Sequence, residues 1–496
     1  MSTLRNPETL PDRHLLAEIG NQLEQLRQAV IGDAARLQSA SRGDDDTPSL
    51  RNFAHYLALR SHDLRPLQAL LGQCALSSLG RSEAHVMATL DCLLALIAAV
   101  LGRSEPIEPA APVTFDMGRQ LLSANRIRLF GPLPSDRPSH IMVTMPRAVA
   151  SDPGLAMQLV AAGMDCARIN CAHDDAGIWE AMVRNLRAAA LAAGRECRIL
   201  MDLAGPKLRT GPVALADCMR LKGVVMLVSG VPTEAGLLGF PAELIAALAP
   251  GDVITLRDRR AKKRELLIEG REPDGRCRAL CERAAQIDAQ TEFCITLGGQ
   301  RRQARAAMQM PPVEIRLFEG DSLLLDRAAR PGVAAQPDGT PARIGCGEPA
   351  VLDQLTAGMA VWIDDGKIGA LVERIDAEGA LLRITAAGPK GRRLRADQGL
   401  NFPDSALRLP ALSDKDRRDL DFAIHHADLI GLSFAQSRAD LEALRTALAE
   451  RGAPLLPIIA KIETAAGVGN LPEMLLAMVD RHPFGVMIAR GDLMVE

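Results

Sequence analysis

The feature that most constrains this chain is a change of rhythm at His140. From there, short apolar runs alternate with amphipathic helical stretches, the pattern of a parallel sheet whose crossovers are helices. Candidate strands fall at residues 141–145, 166–170, 198–203, 429–434, 455–462 and 485–489. Candidate helices fall at 154–162, 178–193, 414–425, 437–450 and 466–479. Three strand–helix steps thus precede a long interruption, from about residue 212 to 408, and three more strands follow it.

The flanking regions read differently. Residues 1–125 are helical in pattern: Leu15, Ile19, Leu23, Leu26 and Val30 keep helical spacing. Residues 41–48 make a polar break, Ser82 reads as an N-cap of the next helical run, and residues 105–112 read as a linker. Nothing there has catalytic spacing; its apolar faces suit an autonomous bundle or a docking module. The interruption is rich in Gly-Asp turns and short β-like runs, and it repeats itself. Pro241-Ala-Glu-Leu, followed by Gly251-Asp and an apolar run, resembles Pro349-Ala-Val-Leu, followed by Gly358-Met and an apolar run, with one gap. That implies two small β modules, at about 215–297 and 315–401, the second carrying Asp364-Asp365-Gly366. At 496 residues about three domains are expected: 1–125, 126–212 joined to 409–496, and 213–408.

Bulk properties narrow the function classes. A net charge of −3 with 48% hydrophobic residues describes a globular protein without the global basic field that nucleic acid would call for. Arg301, Arg302 and Arg305 read as a solvated face. The ten cysteines show neither metal nor framework spacing, so free thiols in a reducing cytoplasm are expected. The first residues have no secretory pattern, and the longest apolar run, Val86–Leu101, is interrupted by Asp91, so it reads as a buried helix and no membrane partner is expected. Only eight of the 58 basic residues are lysine. In such a chain a lysine in an apolar setting, as at Lys461, points to a need for a compact ammonium rather than a planar guanidinium.

Polar residues gather at the ends of the candidate strands: Arg168 and Asn170, Asp202, Lys461 and Glu463, Arg490 and Asp492. Residues two apart on a strand share a face, and in a (β/α)8 TIM-type barrel the C-terminal strand ends form the active-site mouth. A lysine, two carboxylates and two arginines converging there suit an anionic substrate with a hard metal ion. Glu463 and Asp492 are oxygen donors of the kind Mg2+ takes, with water and substrate oxygens completing its octahedron. Phosphoryl transfer needs this set, because it depends on neutralising the charge of the moving group.

At these residues the sequence resembles the pyruvate kinase family. The likeness runs from about Ile141 to Glu496, interrupted where that family carries its B domain. It rests on AAGMDCARIN (161–170), MDLAGPKLRTG (201–211), WIDDGKI (362–368), LPALSDKD (409–416), IAKIE (459–463) and MIARGDL (487–493), in that order. The resemblance implies an α/β fold: a (β/α)8 TIM-type barrel with six of its strands in this sequence, an inserted all-β domain and an N-terminal α-helical region. It implies transfer of a phosphoryl group from phosphoenolpyruvate to ADP, giving pyruvate and ATP. Lys461 would stabilise charge on the phosphoryl and the enolate oxygen, Glu463 and Asp492 would bind Mg2+, Arg168 would contact phosphate and Arg209 would support the site. Backbone N–H groups near Arg490, Gly491 and Asp492 would hold the substrate carboxylate, and Asp364-Asp365-Gly366 would serve in the lid. A cytoplasmic homo-oligomer is implied for a full-length chain.

Several positions depart from the family. Asn170 and Asp202 remain as donors of a K+ site, but Ala172 and Leu203 stand where the family has serine and threonine, and Lys207 where it has a glutamate. An ammonium at that place can substitute for the monovalent cation, so K+ is expected to be dispensable. The turn near the nucleotide is Pro146-Arg-Ala-Val149 rather than Gly-Pro-Ala-Ser. The first β module has Arg257-Asp258-Arg259 where the second has its acidic turn, so any catalytic part is expected to be lost there. Strands seven and eight would lie beyond Glu496, so the sequence is expected to be a piece of a longer chain. Two other readings stay open: a phosphoenolpyruvate-binding regulatory relative, or a Mg2+-enolate aldolase on a related barrel.

Overall fold

The computed structural model describes residues 12–40, 47–103, 110–297, 300–403 and 409–494. They divide into two compact units, Met1–Lys207 with Arg408–Glu496, and Leu208–Leu407.

The first unit opens with helices α1 (Arg13–Ala40), α2 (Pro48–Arg60), α3 (Arg65–Gln73), α4 (Val86–Leu101) and α5 (Phe115–Phe130). Leu16, Ile19, Leu23 and Val30 of α1 share one buried stripe and pack with Ala54, Ala58, Leu90, Leu93 and Ile97. At the start of α2, Thr47 Oγ1 accepts the Leu50 N–H and also donates to Asp480 Oδ2 at 2.5 Å. The expected N-cap at Ser82 is corrected. Helix α4 begins at Val86, whose N–H is held by Asn52 Oδ1 of α2 at 3.0 Å, while Ser82 Oγ donates to Leu79 O. The cap comes from a neighbouring helix, so no local motif announces it. The expected boundary at 125/126 is also corrected, since it falls inside α5. Leu129, in the last turn of that helix, packs with Cys166, Leu200, Leu429 and Ile459, all on the strands described next.

The parallel sheet begins with β1 (Met142–Thr144), a 3₁₀ turn at Arg147–Ala150, α6 (Pro153–Ala161), β2 (Cys166–Asn170), α7 (Ala176–Ala192) and β3 (Arg198–Asp202). Asp152 and Asp175 cap the two helices through the Leu155 and Ile178 N–H groups.

The second unit is the insert. It contains β4 (Met219–Ser229), β5 (Leu237–Phe240), α8 (Ala242–Ala247), β6 (Val253–Arg257), β7 (Lys263–Arg271), β8 (Cys277–Ile287), β9 (Glu292–Leu297) and β10 (Gln300–Arg305). It continues with β11 (Ile315–Leu317), β12 (Ser322–Asp326), β13 (Ala342–Gly345), a 3₁₀ turn at Pro349–Gln354, β14 (Ala360–Ile363), β15 (Ile368–Ile375), β16 (Gly379–Ala386), β17 (Arg392–Leu394) and β18 (Leu400–Asn401). Among the described residues, one sheet runs β10-β9-β6-β7-β8-β4-β5 and another β18-β14-β15-β16-β12-β13. From β9 inward the two orders correspond strand for strand, and each ends in a parallel pair, β4 with β5 and β12 with β13. The repeated sequence segments occupy the same place in both. A helical turn leads to Gly251 (φ +95°) or Gly358 (φ +92°), each donating 2.8 Å to the next strand but one, at Ile268 O and Val372 O. The first sheet extends beyond the expected limit of 297, because β10 adds an outer strand that bears the exposed Arg301, Arg302 and Arg305.

The chain returns to the first unit with α9 (Asp414–His426), β19 (Leu429–Leu432), α10 (Arg438–Glu450), β20 (Ile458–Ile462), α11 (Ala465–Gly469), α12 (Leu471–Met478), β21 (Phe484–Ile488) and α13 (Arg490–Leu493). Ser413 with Asp416, and Ser437 with Asp440, form capping boxes. The single helix expected at 466–479 is split at Asn470, since Pro472 lacks the N–H that would carry one helix through. The described strands run β1-β2-β3-β19-β20-β21, every pairing parallel, as the first six steps of an α/β barrel. Alternation sorts their side chains. Ile169, Ile199, Met201, Ile430, Leu432, Ile458 and Ile462 face the helices, with Trp179, Leu186, Leu420, Leu444 and Met474. Cys166, Leu200, Leu429 and Ile459 face the other way onto Leu129. Arg168, Asp202 and Lys461, two residues further along three of those strands, therefore share that inner face.

Candidate active site

Asp202, at the end of β3, is 1% exposed and binds three groups. Arg168 of β2 donates to its Oδ2 through Nε at 2.7 Å, Lys461 of β20 places Nζ 3.2 Å from the same oxygen, and Ser433 Oγ lies 3.4 Å from Oδ1. The neighbouring strand is thinned to admit it: a Cβ on Gly431 would sit 2.6 Å from Asp202 Oδ1. Lys461, 6% exposed, also donates to Ser433 Oγ at 2.7 Å and pairs with Glu463 Oε1 at 2.9 Å. Glu463, 3% exposed, accepts the Phe434 N–H on Oε2 at 2.7 Å. Burial pushes the Glu463 carboxyl above its ordinary value and nearby Asp492 adds to that, against the opposing pull of Lys461 and the Phe434 N–H. Two neighbouring carboxylates, hard oxygen donors with a lysine beside them, are groups that could hold a divalent hard cation: Glu463 and Asp492. Among the described residues no third His, Cys, Asp or Glu joins them in a cluster.

The sequence reading grouped Lys207 with Asn170 and Asp202. Its Nζ lies 3.3 Å from Asp492 Oδ1 and 6.0 Å from the Phe434 ring centre. Asn170 Oδ1 accepts the Ala172 N–H. Arg490 is exposed, and the N–H groups of Arg490, Gly491 and Asp492 form the first turn of α13, where a helix has no partners of its own for them. Arg209 belongs to the second unit, where its Nη1 donates to Asp397 O at 2.8 Å. Asp364, Asp365 and Gly366 form the β14–β15 turn of that unit, all three at positive φ, with Lys367 Nζ 3.1 Å from Asp364 Oδ2.

A cleft of about 310 Å³ adjoins the strand ends, lined among others by Thr144, Arg147, Asn170, His173 and Trp179. It meets the charged group at Thr144, whose Oγ1 accepts from Arg168 Nη1 at 2.9 Å. Arg147, in the divergent turn, pairs with Asp174 at 2.8 Å on its rim. Sequence reasoning did not find Ser433, Phe434 or Thr144. A serine and a threonine closing apolar runs were the available signal.

A curled parallel sheet with a buried lysine, two buried carboxylates and an arginine on its inner face, and a large β insert after β3, defines an α/β-barrel protein with a charged strand-end site. Residues 272–496 match the family model "Pyruvate kinase, barrel domain". The chain is 33% identical over 183 residues to a pyruvate kinase of Geobacillus stearothermophilus, covering 37% of this chain and 29% of that one. It is 33% identical over 189 residues to human pyruvate kinase PKLR, covering 38% and 30%, and 25% identical over 361 residues to a pyruvate kinase of Mycobacterium intracellulare, covering 73% and 52%. The matches thus span about half or less of these relatives' own length. These matches make the chain similar to pyruvate kinases over its barrel segments.

Proposed function

We propose that this chain transfers a phosphoryl group from phosphoenolpyruvate to ADP, giving pyruvate and ATP. The observation that supports it best is the set of buried Lys461, Asp202 and Glu463 with half-buried Arg168 on one inner face, balanced in charge. A dry, preorganised cation is worth most where charge develops on a transferring group, and Lys461 supplies it for the phosphoryl and the enolate oxygen. Arg168 binds the phosphate. Asp202 holds both cations in place. The first-turn N–H groups of Gly491 and Asp492 hold the substrate carboxylate. Glu463 and Asp492 would bind Mg2+, which supplies charge neutralisation when bound. Arg209 and the Asp364-Asp365-Gly366 turn act from the insert as support and lid. We further propose turnover without K+: both remaining donors are engaged within the chain, Asn170 by Ala172 and Asp202 by two cations, and Lys207 contributes a fixed positive charge.

A coupled assay of pyruvate formation on the full gene product tests this. Expected are turnover with Mg2+ that is equal with and without K+, and a loss of about 10³-fold or more in Lys461→Met, as for removal of a preorganised oxyanion contact. Phosphoenolpyruvate binding without turnover would move the assignment to a binding protein, and strict K+ dependence would refute the K+ proposal.

A further inference from the structure

We propose that Ser433, at the end of β19, is a positioning residue that aims the Lys461 ammonium; this rests on the function proposed above. Ser433 is 4% exposed, and its hydroxyl donates to Leu203 O at 2.7 Å, much closer than Asp202 Oδ1 at 3.4 Å. A hydroxyl has one proton, so the short bond to Leu203 O turns its lone pairs toward Lys461 Nζ at 2.7 Å. The ammonium thus donates to Ser433 Oγ while two carboxylate oxygens flank it as ion-pair partners, Asp202 Oδ2 at 3.2 Å and Glu463 Oε1 at 2.9 Å. Its direction is determined by three elements, and Ser433 is the one neutral member. The two carboxylates can change their share of the lysine as other cations approach; the serine cannot.

The backbone around Ser433 is built for this placement. Phe434 sits at φ +56°, a left-handed conformation that a bulky residue holds only when its surroundings impose it. Its N–H is spent on Glu463 Oε2 at 2.7 Å, so adjacent residues of one turn contact the lysine and its carboxylate partner. Gly205 lets the loop after β3 close over the turn: a Cβ there would lie 2.8 Å from Ser433 Cβ and 3.2 Å from Phe434 Cδ2. The alternative, a serine that merely satisfies Leu203 O, accounts for neither the lysine contact nor the strained neighbour.

Ser433→Ala, Ser433→Thr and the wild type are compared by two readouts. In the pyruvate assay, Ser433→Ala is expected to lose about 100-fold in kcat, as for a small misplacement of a reacting group, with KM for ADP little changed. Ser433→Thr, which keeps the hydroxyl, recovers most of that loss. The second readout needs no activity. The folded protein is treated with an amine-acylating reagent and Lys461 labelling is followed by peptide mass spectrometry. Loss of one charge-assisted bond is expected to raise the Lys461 labelling rate about tenfold in Ser433→Ala and not in Ser433→Thr. A folded Ser433→Ala with unchanged labelling overturns the proposal, whatever its kcat. If wild-type turnover is absent, the functional reading fails while labelling still decides the role of Ser433. Ser433→Cys, nearly isosteric and a poor acceptor, gives the same comparison should the alanine variant not fold.

Discussion

Asp258 and Asp326 in the β insert and Glu463 at the strand ends are all buried acids, yet their surroundings treat them in opposite ways. Burial alone would push Asp258 up, but the Lys262 N–H, and the Arg260 side chain and N–H, hold it below its ordinary value. Burial likewise acts on Asp326 and is outweighed by the Arg330 guanidinium and the Ala328 N–H. These two pin turns; their bonds come from residues two to four positions away, and their charge is satisfied within the fold. Glu463 has one N–H and one lysine that it shares with Asp202, and burial prevails. The difference teaches what separates a structural carboxylate from one that a further cation would complete.

The sharpest way to break this comparison is Glu463→Gln. If Glu463 is a ligand rather than a pin, pyruvate formation should fall about 10³-fold, on the scale of losing a preorganised transition-state contact. Thermal stability near neutral pH should not fall with it. The sign follows from linkage. A carboxyl whose folded pKa is raised favours the folded state below its unfolded value, near 4.5, and that contribution is lost as pH rises through the folded value. The variant should therefore gain in Tm relative to wild type as pH is raised. A clear loss of Tm at neutral pH would return Glu463 to the class of pins.

Asp326→Asn should give the opposite profile. Its depressed carboxyl contributes stability that is present above its unfolded value, near 3.8, and is lost as pH falls through the folded value. Removing the charge leaves Arg330 without its ion pair, so about 1–2 kcal/mol should be lost at neutral pH, with turnover retained. The deficit should shrink in acid, which thermal unfolding at several pH values would measure. A deficit that stays constant down to strongly acid pH would mean the charge was never the source of the stability.

How much of this was legible in the sequence depended on the range of the interactions. The six strands stood out because alternation is local, and all six observed strands overlap the expected runs. The charged strand ends followed from the same period of two. The doubling of the insert was visible at one short match around Gly251 and Gly358, where a left-handed turn demands glycine, and the shared strand order extends it to whole sheets. What escaped depends on distant partners. The start of α4 is capped by Asn52 from another helix, Leu129 belongs to the strands of the sheet rather than to the helical region, and Lys207 reaches Asp492 across 285 residues. Ser433 escaped for a related reason: a serine closing an apolar strand is ordinary until the structure sets a lysine 2.7 Å away.

The two β modules offer the smallest and most discriminating test. Their corresponding hairpins differ in charge, with Arg257, Arg259 and Lys263 around the first and Asp364 and Asp365 in the second. In the first, Asp258 is turned inward as a pin, so the turn offers solvent only cations; in the second, Asp365 is exposed and Asp364 half-buried. If only the second serves as a lid, replacing Asp364 and Asp365 with alanine should lower kcat/KM for ADP about fivefold, the scale of one partly solvated charged contact. Arg257→Ala with Arg259→Ala should leave that ratio unchanged. Equal effects from both hairpins would mean that the duplicated module kept the role of its twin, and that the exchange of acids for arginines altered its charge without removing it from turnover.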